Sequence, residues 1–208
     1  HYVDAFAGCG RHQPKQQTGE GASTDGLASL FGDDETDQRD ACEFIEGSPI
    51  RVMRASFDLA RGFDRFVFVE SDPNSCAELQ AQVLQEFGDA IPPAEYVCDD
   101  ANSAIAEYLA SYDSKSMRSL VFLDPFGCEV RWESITRLAA THACDVWYLF
   151  PLSGVFRMLP RSGKIEPTWE ARLDAIFGTH DWSEHFYAPS AQGSLFDDIA
   201  PVERNVSS

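Results

Sequence analysis

Residues 65–87, RFVFVESDPNSCAELQAQVLQEF, combine an apolar strand with a helix and point to the fold. The segment Arg65–Glu70 is short and rich in valine and phenylalanine, as expected of a strand covered on both faces. Asp72 and Pro73 then mark a helix start, because aspartate is a preferred N-cap and proline suits the first turn. Apolar residues continue at helical spacing to Phe87. The stretch therefore predicts one strand–helix unit.

The same alternation of strand and helix continues along the chain. Four further apolar segments predict strands: Tyr2–Phe6, Glu95–Cys98, Ser119–Leu123 and Asp145–Phe150. Helical periodicity predicts helices at Pro49–Arg61, with Ser48 as its N-cap, and at Ser103–Tyr112, Arg131–Thr141 and Trp169–Phe177. Five strands separated by helices favour the α/β class: a Rossmann-like, mostly parallel, doubly wound sheet with helices on both faces.

One long connection interrupts this alternation. About 40 residues, 8–47, separate the first strand from its helix and include the acidic stretch GDDETDQRDACEFIEG. Connections of this length are uncommon in a compact domain, and the composition predicts a mobile insertion. We expect residues 1–160 to form the main domain, with 161–208 as a C-terminal helix and loop extension of the same domain.

The composition narrows the classes of partner. The chain of 208 residues has a net charge of −18, with only 16 lysines and arginines, so non-specific binding to a phosphate backbone is unfavourable. No apolar run approaches the ~20 residues that cross a bilayer. The six cysteines form no CxxC pair, which argues against a zinc site and predicts a reduced, cytoplasmic protein.

Candidate ligand-binding residues follow the first two predicted strands. Ligands of a doubly wound sheet bind beyond the carboxyl ends of its strands. The first strand leads into DAFAGCG, where Gly8 and Gly10 would let the backbone approach a ligand and Asp4 could order the loop or receive a cation. The second ends at Glu70, which could accept both hydroxyls of a ribose. The alternative for the Gly8–Gly10 loop is a simple tight turn. The alternative for Glu70 is an N-cap of the following helix, although Asp72, directly before Pro73, is better placed for that role.

The third strand also ends in acidic residues. It leads into Asp99-Asp100-Ala101, where an aspartate could accept a hydrogen bond from an adenine amino group while the next backbone N–H serves the ring. The alternative is an N-cap, which aspartate often provides. Two adjacent aspartates allow both roles, and we assign the base to Asp100.

The fourth strand ends in Asp124-Pro125-Phe126-Gly127. The Asp124 carboxylate and the Pro125 carbonyl could together hold an exocyclic amino group, and Phe126 could stack on its base. The amine would then point its lone pair at an electrophilic methyl group, with orientation as the main catalytic device. The alternative is that this motif is an ordinary turn.

The order of these motifs resembles a known family. The segments FAGCG, GSPIRV, FVFVESD, FLDPFG with VRWESI, and VWYLFPLSG occur as in the three-Cys-motif partner proteins, over residues 2–160. The resemblance implies a Rossmann-type methyltransferase fold that binds S-adenosyl-L-methionine (SAM). It places SAM near Asp4, Gly8, Gly10, Glu70 and Asp100, with Phe6, Ser71, Asp99 and Ala101 beside them, and the methyl acceptor at Asp124–Gly127. It also implies a partner protein with three cysteines.

The chain differs from that family pattern in its long acidic segment and in a phenylalanine where many relatives have tyrosine. We expect a methyltransferase acting on an exocyclic amine of a nucleic-acid base. The alternative is a catalytically weak binding module that acts through a partner, and a nicotinamide oxidoreductase is the weakest option.

Four further groups of residues have weaker functional interpretations. Cys128 could be a nucleophile but more often such a cysteine only packs. Trp132 and Trp147 are predicted to lie in the core. His180 and His185 are assigned to loops or caps, and Arg157 with Arg161 either meets phosphates or is solvated.

Overall fold

The computed structural model describes residues 1–12, 45–59, 62–88 and 93–187, and a five-stranded parallel sheet forms its centre. The strands of this sheet are β1 (Tyr2–Asp4), β4 (Phe66–Val69), β5 (Ala94–Val97), β6 (Ser119–Leu123) and β7 (Cys144–Tyr148). A separate antiparallel pair joins β2 (Arg11–His12) to β3 (Ile45–Glu46). The five predicted strands are confirmed: Ser119–Leu123 has its predicted bounds, and the ends of the other four differ by at most two residues.

Seven helices occur in the described residues. They are α1 (Ser48–Asp58), α2 (Pro73–Phe87), α3 (Ala101–Ala110), α4 (Trp132–Ala140), α5 (Leu152–Met158), α6 (Pro167–Phe177) and α7 (Trp182–Phe186). The sequence predicted α2 with its observed bounds but not the β2–β3 pair or the short helices α5 and α7. Ser48 was wrongly predicted as an N-cap: Gly47 holds that position, and Ser48 is the first helical residue.

The order of the strands creates a switch point. It is β5-β4-β1-β6-β7, so the chain moves outward from β1 through β4 and β5, then returns to build β6 and β7 on the other side of β1. Connections from β1 and β6 therefore leave in opposite directions, which opens a crevice between their carboxyl ends. The motifs predicted after the first and fourth strands of the sheet meet at this crevice.

Alternating residues of the strands build a core on each face of the sheet. Val3, Val67 and Val121, in register on β1, β4 and β6, are buried with α3 and α4 on one face. Phe66 and Phe68 point to the other face and pack with Ile50 and Met53 of α1 and with α2. Burying each such side chain stabilises the fold by about 1.5–3 kcal/mol. The α/β class with helices on both faces is confirmed.

A third apolar cluster joins the last three described helices. Val155 and Leu159, Leu173 and Ile176, and Trp182 are buried together, and α6 also contacts α4. Residues 161–187 of the predicted extension thus pack on the main unit. Residues 13–44 of the predicted insertion and 188–208 of the extension lie outside the described residues.

His180 and Asp174 fix the turn between α6 and α7. Asp174 accepts hydrogen bonds from His180 Nδ1 at 3.0 Å and from the Trp182 indole N–H at 2.6 Å. This contact raises the pKa of His180, mainly through its hydrogen bond to Asp174. The loop role that the sequence assigned to His180 is confirmed.

Gly178 allows α6 to approach α4 and offers a test of this packing. It ends α6 in the left-handed conformation, and an added Cβ would overlap the indole of Trp132. Gly178→Ala should lower the free energy of unfolding by about 2–5 kcal/mol, the sum of left-handed strain and overpacking. Gly163 has the same φ of 69° but only ordinary contact with Tyr187. Gly163→Ala should therefore cost about 1–2 kcal/mol. Equal losses of stability in urea unfolding would contradict the packing.

Candidate active site at the carboxyl edge of the sheet

The Asp4 side chain fastens the first loop to the first helix. It is fully buried at the end of β1, where Oδ1 accepts the Phe6 N–H at 3.1 Å and Oδ2 accepts the Ser48 hydroxyl at 2.6 Å. The same bond explains why Ser48 is not the N-cap of α1, since its hydroxyl is engaged by a residue 44 positions away. Asp4 therefore orders the loop, one of the two roles that the sequence allowed.

Burial raises the pKa of Asp4 to about 6. The hydrogen bonds from Ser48 and Phe6 oppose this shift, whereas the nearby carboxylates of Asp124 and Glu70 add to it. Three carboxylates thus share one edge of the sheet. Such a concentration of negative charge favours a cationic ligand.

The raised pKa predicts that the stability of the protein depends on Asp4 ionisation. Because the folded state binds the proton more tightly than the unfolded chain, this contribution is complete below the unfolded pKa near 3.9 and is lost as pH rises through about 6. Between pH 4 and pH 7 the wild type should lose about 2 kcal/mol of unfolding free energy relative to Asp4→Asn, because at pH 4 the unfolded carboxyl is already partly ionised. Urea unfolding at both pH values measures this difference. A difference that stays constant with pH would contradict it.

Two glycines of the first loop adopt positive φ angles, 62° at Gly8 and 85° at Gly10. A Cβ at Gly10 would lie 2.9 Å from both Gln82 Oε1 and Leu79 Cδ1 of α2. The absence of a side chain at Gly10 therefore allows the first loop to pack closely against α2. Gly8 lies nearer the crevice, with its N–H bound to Glu70.

Glu70 connects the first and second loops. Its Oε2 accepts the Gly8 N–H at 3.0 Å, and its Oε1 accepts the Asp72 N–H at 2.8 Å and the Ser71 hydroxyl at 3.3 Å. Asp72 caps α2 by accepting from the N–H groups of Asn74 and Ser75, as predicted. Glu70 is thus held at the edge, with a carboxylate whose remaining lone pairs can accept ligand hydroxyls.

Asp100 is the N-cap of α3. The sequence-based assignment of the base to Asp100 had left this cap to Asp99. Its Oδ1 accepts the N–H groups of Asn102 and Ser103 at the start of α3, while Asp99 Oδ1 accepts the Asp100 N–H. The cap engages Oδ1 of Asp100, and the assignment of Asp100 to a base stays a prediction. Ala101, the first residue of α3, is buried. Asp99 and Asp100 are both exposed at the edge beside Glu70.

The Asp124–Gly127 turn follows β6 directly. Asp124 is exposed, Pro125 is buried, and the Phe126 ring is 87% exposed. An aromatic ring so exposed contributes little to the core. It is available to stack on a planar ligand.

A cavity of about 600 Å³ brings two of the predicted motifs together. It lies at the switch point, between α1 and the sheet, and its rim includes Phe6, Gly8 and Asp124–Phe126. It is also lined by Tyr2, Val52, Leu120, Phe122 and Trp147. Glu70, Ser71, Asp99 and Asp100 do not line it and lie further along the same edge.

The cavity also contains residues that sequence reasoning missed. Ser48, Arg51, Glu46 and Gly47 line it from α1 and β3. Trp147 was wrongly predicted as core: it is 68% exposed, and Trp132 is 46% exposed. Trp147 points to the same face of the sheet as Phe122, and the apolar core described on that face includes no residue of β7, so the apolar run of β7 does not imply burial there. The exposure of Trp147 depends on which elements cover that face of the sheet, and the sequence alone does not show this.

Other candidate residues have structural roles or lie outside the cavity. Burial raises the pKa of the Cys128 thiol, which disfavours the thiolate that a nucleophile needs. No group of three His, Cys, Asp or Glu residues in the described ranges could hold a metal ion. No described helix is long and apolar enough to cross a membrane.

No protein-family model, curated protein or solved structure matches this chain. Function is therefore inferred from the geometry of the carboxyl edge.

Proposed function

We propose that this chain is a SAM-dependent methyltransferase that transfers a methyl group to an exocyclic amine of a nucleic-acid base. The observation that supports it is the cavity at the switch point, which is lined both by the loop of Gly8 and by Asp124, Pro125 and Phe126. A cofactor loop and an amine-binding turn on one cavity are the arrangement that group transfer between two bound molecules requires.

The residues at the edge fit SAM. Gly8 is a backbone position without a side chain, and the anchored Glu70 carboxylate can accept ribose hydroxyls. Asp99 and the exposed part of Asp100 lie beyond Glu70, where an adenine would extend. SAM supplies an electrophilic methyl group on a cationic sulfur, and the carboxylates of Asp4 and Glu70 complement that charge.

The acceptor side consists of the Asp124–Gly127 turn. The Asp124 carboxylate and the Pro125 carbonyl would accept the two N–H groups of an amine, which directs the nitrogen lone pair into the cavity. Phe126 would stack on the attached base. As the nitrogen–carbon bond forms and the carbon–sulfur bond breaks, the surplus proton would pass to Asp124 or to solvent. The main contribution to the rate of transfer would be the orientation of the amine toward the methyl group.

A second candidate function is a SAM-fold binding module that acts through a partner, such as a three-cysteine protein. The net charge of −18 favours it, because a partner could supply the nucleic-acid contacts that this surface lacks. Cys76, Cys98, Cys128 and Cys144 are free thiols, and we place either function in the cytoplasm.

Calorimetric titration tests the proposal. SAM and its demethylated product should each bind with a Kd in the micromolar range, whereas NAD should not bind. Transfer of a labelled methyl group to a pool of short DNA and RNA strands should then follow. Binding without transfer would favour the partner-dependent module. Failure to bind either molecule would reject both functions.

A further inference from the structure

Arg51 is a cationic side chain on the wall of the cavity. It lies on α1, is exposed, and has no ion pair with any residue that the structure describes. Arg54, one turn along the same helix, is instead bound to the carboxylates of Glu46 and Glu86. Glu46 also lines the cavity, but Arg54 balances its charge. Arg51 is thus available to an anionic group of a ligand.

Trp147 supplies a second contact surface in the same cavity. It pairs in register with Phe122 on β6, and its indole is 68% exposed. Asp124 lies two residues beyond Phe122, so the Trp147 position is about 7 Å from the start of the amine-binding turn along the strands. That separation is comparable to one nucleotide of an extended strand. Phe126 and Trp147 can therefore contact different parts of one ligand.

We propose that the cavity binds an unpaired nucleic-acid strand, in which Trp147 stacks on the nucleotide next to the acceptor and Arg51 binds its phosphate. The inference rests on the proposed function and names its substrate class. An aromatic face contributes about 1–3 kcal/mol per stacked base, and guanidinium recognises phosphate with two donors. A base in a duplex is stacked on both sides, so its face is not accessible to Trp147.

The acidic surface of the protein repels a nucleic-acid strand, and the salt dependence of binding separates this repulsion from the phosphate contact of Arg51. Repulsion from distant carboxylates is screened beyond about 8–10 Å at 0.1–0.15 M salt, so a short strand reports mainly on the cavity. One phosphate contact in a single strand gives a slope of about −0.7 for log K against log salt concentration. We expect that slope for the wild type, and a slope near zero for Arg51→Gln.

The probes are DNA and RNA pentanucleotides, the same strands with uncharged methylphosphonate linkages, and duplexes of about 15 base pairs that contain the same sequence and stay paired during the assay. The wild type should bind a phosphodiester strand at least about tenfold tighter than the uncharged strand, consistent with one charge-assisted contact. Arg51→Gln should remove that preference. Trp147→Ala should weaken binding of both strands at least about fivefold. The DNA and RNA arms identify which strand is bound.

Two matched controls lie outside the cavity. Arg137→Gln removes an exposed arginine of α4, and Trp169→Ala removes a 40% exposed tryptophan of α6. Neither should change strand binding. Equal binding of duplex and single strand, a charge preference that survives Arg51→Gln, or no strand binding would overturn the inference. The Kd for SAM, measured on the same samples, separates failure of the strand-binding inference from failure of the proposed function. Neither Arg51→Gln nor Trp147→Ala should change that Kd.

Discussion

Glu70→Ala is expected to weaken SAM binding at least about 100-fold. Two charge-assisted hydrogen bonds to ribose hydroxyls contribute about 1.5–3 kcal/mol each, and both disappear with the carboxylate. The substitution also leaves the N–H groups of Gly8 and Asp72 without their acceptor, which loosens the first and second loops together. Calorimetric titration measures the Kd directly.

The control for this variant is Glu95→Ala. Glu95 is an exposed carboxylate on the neighbouring strand β5 and pairs with Arg65 at the surface. Its removal makes the same change in net charge but should leave the Kd for SAM unchanged, because exposed pairs contribute little. Glu70→Ala must also keep a cooperative thermal transition. A folded Glu70→Ala protein that binds SAM within threefold of the wild type would contradict a ribose role.

The parts of the fold that the sequence predicted well depend on interactions between residues close together in the sequence. The strand at Phe66–Val69 and the helix at Pro73–Phe87 follow from an apolar run, an aspartate cap and helical spacing, all within 22 residues. The Asp72 cap could be assigned because its partners are two and three residues away. Such interactions depend only on neighbours in sequence.

Interactions between distant residues explain what the sequence could not show. Ser48 looked like a cap, yet its hydroxyl binds Asp4. Trp147 looked buried, but its exposure depends on which elements cover its face of β7. The residue that caps α3 depends on where the helix begins: α3 begins at Ala101, so Asp100 and not Asp99 is the N-cap. Arg51 became a candidate only once α1 was placed beside the Asp124 turn.

Asp124→Asn is expected to lower kcat for methyl transfer about 100- to 1,000-fold while leaving the Kd for SAM within about twofold. The asparagine keeps one acceptor oxygen, but it loses the negative charge and can present an NH2 group to the amine. Since Asp124 is exposed at the turn, the change should leave the fold intact. Labelled methyl transfer to pooled single strands under single-turnover conditions measures the effect on chemistry.

Asp145→Asn is the matched control, because Asp145 is exposed on β7 beside the cavity but does not line it. It removes the same charge and should leave kcat unchanged. If Asp124 only formed a turn, both substitutions would leave transfer intact. If it only attracted the cationic cofactor, Asp124→Asn would raise the Kd for SAM and spare kcat at saturation. A fall in kcat with an unchanged Kd is specific to an aspartate that orients the acceptor amine.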